Sequence, residues 1–184
     1  MNIYAIIPAR GGSKRLTNKN IYPLNGKPLM AYTIEACQKS KFITKTFVSS
    51  DSDEILEVTK QYNAIPLKRP ESLADDKTPK IEAIRQAVQS EDLLKHGAPD
   101  IIIVPQANSP QITAEIMDQG FELMQKHNLW EVMSADTNGV QNAAFRIVRM
   151  PHLFNTFLSA HCGFVIHDII DVHTITDIEK LTNK

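Results

Sequence analysis

The chain has 184 residues, 42% hydrophobic and 22% charged, with a formal net charge of -1. Those values suit one soluble domain with a real core, over residues 1–184. They exclude a global field that would draw it to nucleic acid or anionic lipid. No apolar run approaches the about 20 residues a membrane helix needs, so neither nucleic acid nor a membrane is expected as a partner.

Ile3 to Pro8 is a short apolar run that lacks a basic region before it and ends in a glycine-rich loop. It reads as a buried strand rather than a signal peptide. Pro28 to Lys39 carries Met30, Ile34 and Cys37 at helical spacing. Thr46 to Ser50 is a second strand. Asp51 to Tyr62 is a helix with Ile55, Val58 and Tyr62 on one face, capped by Asp51 or Ser52. Ala64 to Leu67 is a short strand, and Pro79 to Ser90 a helix with Pro79 in its first turn. Asp100 to Pro105 contains Ile101 to Val104, a strand buried on both faces. Ala114 to Lys126 is a helix whose Met117, Phe121 and Met124 face inward. Glu131 to Ala135, Ala143 to Val148 and Gly163 to Ile166 read as strands, and Ile175 to Leu181 as a closing helix.

Strands alternating with helices of this length predict an α/β fold, a mostly parallel sheet with helices on both faces. Ligands then sit at the carboxyl ends of the strands. Four places qualify: the loop after Pro8, the segment after Ser49, the segment after Val104, and the stretch from Asp168 to Thr174. Cys37 and Cys162 are far apart in apolar stretches, which reads as two reduced core thiols in a cytoplasmic protein.

The loop after Pro8 is Ala9-Arg10-Gly11-Gly12-Ser13-Lys14-Arg15, continuing to Asn18-Lys19-Asn20. Gly11 and Gly12 permit positive φ and close approach to a ligand, so successive backbone N–H groups could form a nest for phosphate oxygens. Arg10, Lys14, Arg15 and Lys19 place four cations on one short segment, a self-repulsion that a polyanion relieves. A Walker loop is ruled out by spacing, and the dinucleotide fingerprint G-x-G-x-x-G is absent.

This opening, Ile6 to Arg15 with Asn18-Lys19-Asn20 and then Pro23-Leu24, Gly26-Lys27-Pro28-Leu29, resembles that of the acylneuraminate cytidylyltransferases. The likeness is collinear along the chain. Val48-Ser49-Ser50-Asp51-Ser52-Asp53-Glu54-Ile55 is similar to V-S-T-D-D-x-E-I, and Arg69-Pro70-Glu71-x-Leu73-Ala74-x-Asp76 to R-P-x-x-L-A-x-D. Gln106-Ala107-Asn108-Ser109-Pro110-x-x-Thr113 resembles Q-P-T-S-P-L-R-T, and Asp171-Val172-His173-Thr174-x-x-Asp177 resembles D-I-D-T-x-x-D.

The resemblance implies a three-layer, Rossmann-like nucleotidyltransferase fold with a mostly parallel mixed sheet. It implies transfer of CMP from CTP to a nonulosonic acid or a related small acidic acceptor, with release of pyrophosphate. Ala9, Arg10, Gly11, Gly12, Ser13, Lys14 and Lys19 would hold the triphosphate, with Arg69 and Asp76 beside the base or ribose. Gln106, Asn108 and Ser109 would face the acceptor. Asp171 and the position of His173 would hold Mg²⁺, with Mn²⁺ as the substitute, and Arg10, Lys19 and Asp171 would carry the catalytic step.

Three departures stand out. His173 replaces a metal carboxylate, and neutral imidazole is a poor Mg²⁺ ligand. Either Asp171 alone carries the metal, or Asp168 assists, or the metal differs, or activity is weakened. Ile112 replaces an arginine near the acceptor pocket. The stretch between Thr113 and Asp171 is too short for the family's dimerisation insertion, which leaves a monomer or a non-standard homodimer. The alternative function is a non-catalytic or weakly active nucleotide-binding homologue with a regulatory role. Asn142 or Arg146, and His161, are further candidates for the acceptor side, whereas Trp130 reads as a core aromatic.

Overall fold

The computed structural model describes residues 1–75, 77–156 and 159–182. In chain order it contains β1 (Ile3–Pro8), β2 (Pro23–Leu24), β3 (Lys27–Pro28), α1 (Leu29–Lys39), β4 (Lys45–Ser50), α2 (Asp53–Gln61) and β5 (Ile65–Lys68). There follow α3 (Lys80–Gln89), α4 (Glu91–Leu94), β6 (Ile101–Pro105), α5 (Ala114–Lys126), β7 (Glu131–Ala135), β8 (Gln141–Arg149), α6 (Met150–Leu153), β9 (Cys162–Ile166) and α7 (Ile175–Thr182). Two short 3₁₀ turns lie at Lys19–Ile21 and Glu71–Leu73.

Seven strands form one sheet in the order β5-β4-β1-β6-β8-β7-β9. β1 pairs in parallel with β4 and β6, β4 with β5, and β7 with β9. Only β8 runs against its neighbours, β6 and β7. The turn from β7 into β8 explains this reversal. Asp136 Oδ1 accepts from the N–H groups of Asn138 and Val140, and Gly139 supplies a φ of 78°. These are the ingredients of a tight hairpin.

β1 is apolar at every buried position because the sheet is covered on both sides. Ala5, Ile7, Val48 and Ile103 meet Met30 and Ile34 of α1 and Met117 and Phe121 of α5. Tyr4, Ile6, Phe47 and Ile102 meet Ile84 and Val88 of α3 on the opposite face. The result is three layers. α2 and α5 start where Ser52 and Thr113 accept from Ile55 N and Ile116 N, the ordinary N-cap. Pro28 and Pro79 are caps rather than helical residues, and Lys27–Pro28 instead pairs with Pro23–Leu24.

A third cluster fixes the site. Leu24 and Leu29 pack on Val172 and Ile178, with Leu16 and Tyr22 beside them. The segment ending in α7 is thereby pinned over the loop that follows β1. The direction of winding also reverses at β1, whose parallel neighbours β4 and β6 lie on opposite sides. Ligand crevices form at such a switch point, beyond the carboxyl ends of the strands.

Candidate nucleotide site

At that crevice lies a cleft of about 330 Å³. Arg10, Ser13, Lys14, Arg15 and Lys19 line it from the loop after β1, Arg69, Leu73, Asp75, Thr78 and Lys80 from the segment leading into α3, and Gln106, Asn108, Asp171 and His173 from two later segments. Four segments distant in sequence therefore meet in one place. Of the residues expected there, Arg10, Ser13, Lys14, Lys19, Arg69, Gln106, Asn108, Asp171 and His173 line the cleft. Ala9 is fully buried behind it, with its N–H given to Ser49 O. Asp76 lies outside the described residues.

The loop is held by side chains. Asn20 Nδ2 donates to Arg10 O at 2.9 Å, and Gly11 N donates to Asp51 Oδ1 at 3.2 Å. The same Asp51 oxygen pairs with Arg69 Nη2 at 3.1 Å, and Arg69 is only 5% exposed. Asp51 thus serves as a tether of the loop and not as the cap of α2. Gly11 and Gly12 do not take positive φ; among the described residues Asn18 is the loop position that does, at 51°. Gly11 is required for a different reason. A Cβ there would stand 2.9 Å from Ser52 Cβ, so the loop passes against the start of α2.

Asn108 links the closing segment to the sheet. Its Nδ2 donates to Val172 O at 3.0 Å, and Val172 N donates to Asn108 O at 2.8 Å. Ser109, fully buried behind the cleft, hydrogen-bonds Asp171 through its hydroxyl. Desolvation holds the Asp171 carboxyl above the usual range, opposed by the Ser109 hydrogen bond and by His173, Lys80 and Lys19. Desolvation also lowers the Lys19 ammonium, aided by the Arg15 charge and opposed by Asp171. The cleft is crowded with cations, and among the described residues Asp75 and Asp171 are the carboxylates in its lining.

His173 is oriented by two contacts. Its backbone N donates to Asp177 Oδ2 at 3.0 Å, and its Nδ1 lies 3.3 Å from Arg15 Nη2. Guanidinium only donates, so Nδ1 accepts and the neutral ring carries its proton on Nε2. Desolvation and the charges of Lys19 and Arg15 lower the imidazole, which favours that neutral form. Among the described residues no group of three or more His, Cys, Asp or Glu is placed to hold a metal.

Other expectations resolve differently. Asp168 accepts from the N–H and hydroxyl of Thr137, in the turn between β7 and β8, and does not line the cleft. Ile112 is 3% exposed, packs in the core with Met117 and does not line the cleft. Arg146 pairs with Glu131 at 2.7 Å, and Asn142 Nδ2 donates to His167 O. Trp130 is half-buried between two imidazoles: His152 stacks on it at 4.2 Å, and His161 tilts against it at 4.6 Å. His161 therefore lies with Trp130 and is not a cleft residue. Cys37 is buried, whereas Cys162 is half-buried on β9, the strand at the end of the sheet beside β7.

Reasoning from sequence overlooked Lys80, Thr78 and Asp51. Lys80 follows a proline at a helix start, where no local pattern marks it as a site residue. Asp51 reads locally as a cap; only its distant partners reveal the tether.

Comparison with known proteins bears on the family and the fold. Residues 4–156 match the family model described as cytidylyltransferase. N-acylneuraminate cytidylyltransferase of Escherichia coli O18:K1:H7 is 49% identical over 86 residues, which is 47% of this chain and 20% of that protein. Pseudaminic acid cytidylyltransferase of Campylobacter jejuni is 37% identical over 126 residues, covering 66% of this chain and 53% of that enzyme. The chain thus spans about half the length of the Campylobacter relative, and less of the other. A solved CMP:2-keto-3-deoxy-manno-octonic acid synthetase complexed with CTP shares the fold, with a TM-score of 0.79 at 14% identity over 100% of this chain and 98% of that one.

Proposed function

The chain belongs to the cytidylyltransferase family, and from that premise we propose that it transfers CMP from CTP to a nonulosonic acid or a related small acidic acceptor. One observation carries the proposal: the cationic loop after β1 and the carboxylate of Asp171 line one cleft at the switch point of the sheet. An acceptor hydroxyl oxygen bonds to the α-phosphorus, the bridge to the β-phosphate breaks, and pyrophosphate leaves with the electron pair. The hydroxyl proton passes to solvent. Such a transfer needs positioning and charge neutralisation more than a protein nucleophile.

Arg10, Ser13, Lys14 and Lys19 bind the triphosphate in this reading, with the backbone of Ala9 to Gly12 shaping the loop. Arg69 lies beside the base or ribose. Gln106, Asn108 and Ser109 serve the acceptor side, Gln106 by contact and Ser109 through Asp171. Arg10 and Lys19 stabilise charge that develops on the transferring phosphate.

The donor set fits a hard divalent ion at Asp171, with phosphate and water oxygens completing the shell. Mg²⁺ is the ion proposed, and Mn²⁺ its substitute. It would supply charge neutralisation between the phosphates. His173 does not fit as a second ligand, because Nδ1 is engaged by Arg15 and Nε2 keeps its proton. That N–H suits a phosphate oxygen. The free thiols support a cytoplasmic location, and among the described residues no helix is long and apolar enough to cross a membrane.

Titration calorimetry with CTP and Mg²⁺ or Mn²⁺, followed by pyrophosphate release with a panel of nonulosonic acids, tests the proposal. Absence of CTP binding at millimolar nucleotide refutes it. His173 at a family carboxylate position favours a second reading, a binding-only homologue. Retained CTP binding without turnover for any acid, unrescued by His173→Asp, would establish that reading instead.

A further inference from the structure

Lys80 is a cation in an uncomfortable place. It is the first residue of α3, a ten-residue helix, where the positive end of the helix dipole opposes an ammonium. No carboxylate among the described residues lies within ion-pair distance of it. Desolvation lowers its pKa, and the more distant Asp171 charge only partly opposes this. Helix stability therefore does not explain a lysine here, and neither does an internal salt bridge.

Among the described residues, its hydrogen bond to Gln106 defines what it does. Nζ donates to Gln106 Oε1 at 2.7 Å. An ammonium has no acceptor capacity, so the contact settles which way the Gln106 amide points. Oε1 faces Lys80, and the Nε2 protons are turned to the other side. Gln106 itself is fixed at both backbone ends: its N–H donates to Ala144 O, and its C=O accepts from Thr33 Oγ1 at 2.9 Å. Nε2 is not among the buried unpaired polar atoms, and both side chains line the cleft. Two protons on Nζ and two on Nε2 remain to be accepted within the same cleft, with one positive charge. A planar two-oxygen anion matches that set.

Resting on the proposed function, we infer that Lys80 and Gln106 form the subsite for the acceptor's carboxylate, with Lys80 selecting an acid over its neutral analogue. Arg10, Lys14 and Lys19 are assigned to the triphosphate and Arg69 pairs with Asp51, whereas Lys80 is the cleft cation joined to the residue assigned to the acceptor. The ion pair forms only when the acid binds, so it adds to acceptor affinity.

The test uses the whole chain saturated with Mg²⁺ and a CTP analogue carrying a methylene bridge between the α- and β-phosphorus. N-acetylneuraminate, pseudaminate and N,N'-diacetyllegionaminate are titrated into it, together with the methyl ester of any acid that binds. Wild type should prefer the acid to its ester by about tenfold or more, the worth of a charged hydrogen bond. Lys80→Met, titrated at nucleotide concentrations that saturate it, should lose that preference, and Lys80→Arg should keep part of it. Lys80→Gln serves the same purpose if the methionine variant does not fold. Equal acid affinity in wild type and Lys80→Met overturns the subsite, as does a loss confined to CTP affinity. Failure of every acid to bind the nucleotide-loaded wild type overturns it too. Failure of CTP itself to bind is a different result, since it refutes the proposed function from which the subsite follows.

Discussion

Replacing Asp51 with alanine should damage both stability and nucleotide binding, for one reason. Its Oδ1 receives the Gly11 N–H at 3.2 Å and the Arg69 guanidinium at 3.1 Å. Arg69 is 5% exposed, and among the described residues its Nε has no hydrogen-bond partner. Without the carboxylate, a nearly buried guanidinium is left uncompensated, which costs about 3 kcal/mol. For a chain of 184 residues that lowers the melting temperature by about 6–12 °C. The freed loop should also bind CTP about tenfold more weakly, because one charge-assisted anchor is gone. Asp51→Asn keeps an acceptor for Gly11 but not the charge, and should fall between. Calorimetric melting and CTP titration measure both effects. The decisive comparison is Asp51→Ala with Arg69→Met: removing the guanidinium as well should restore part of the lost stability, a favourable coupling between neighbours. Melting of Asp51→Ala within about 2 °C of wild type would refute the tether, and so would a double variant that sums the two single losses.

Gly11→Ala and Gly12→Ala should part company. The first puts a Cβ 2.9 Å from Ser52 Cβ, while the second meets nothing within 4 Å. Thermal melts should show a loss of about 1–3 kcal/mol for Gly11→Ala and at most about 0.5 kcal/mol for Gly12→Ala. An aromatic disulfide reagent should titrate Cys162 in the native protein and Cys37 only after unfolding, since burial both shields the Cys37 thiol and pushes its pKa up. Lys19 should give opposite pH trends for stability and for binding. Its folded pKa is lowered below 10.5, so in the window under 10.5 the unfolded chain binds more protons and the free protein gains stability as pH rises. CTP needs the ammonium, so affinity should fall through the same window. Both trends are read as differences between wild type and Lys19→Met, and their absence there would remove Lys19 from the triphosphate site.

The strands and helices could be read from sequence wherever burial is one-sided or complete over several residues. The run Ile3 to Ile7 is 0–3% exposed throughout, and a continuous apolar pattern records that directly. The direction of β8 was harder to see, because an antiparallel strand leaves no mark in its own composition. The mark lies in the preceding turn, where Asp136-Thr137-Asn138-Gly139 carries hairpin chemistry. β2 and β3 are two residues each, too short for any periodicity, and Pro28 looked like a helix start because proline suits both a cap and a first turn.

The site divides along a similar line. The loop after β1 was legible because its ligand groups are consecutive: the cations and the glycines occupy one short stretch. The roles assigned by partners were not. Asp51 and Lys80 each look like a residue at a helix start, yet the first tethers a glycine amide 40 positions away and the second orients an amide 26 positions away. His173 is the sharpest instance. Its residue type points to a transition metal, but Arg15, 158 positions distant, occupies Nδ1 and turns the ring into a donor. A guanidinium at that nitrogen and a cation bound to it exclude each other by charge alone. Metal affinity should therefore depend on Asp171 and hardly on His173. Electron paramagnetic resonance of Mn²⁺ bound beside CTP should show Asp171→Asn releasing the ion, His173→Ala retaining it, and His173→Asp holding it more tightly. Release by His173→Ala equal to that by Asp171→Asn would make the imidazole a ligand and overturn the tautomer inferred from Arg15.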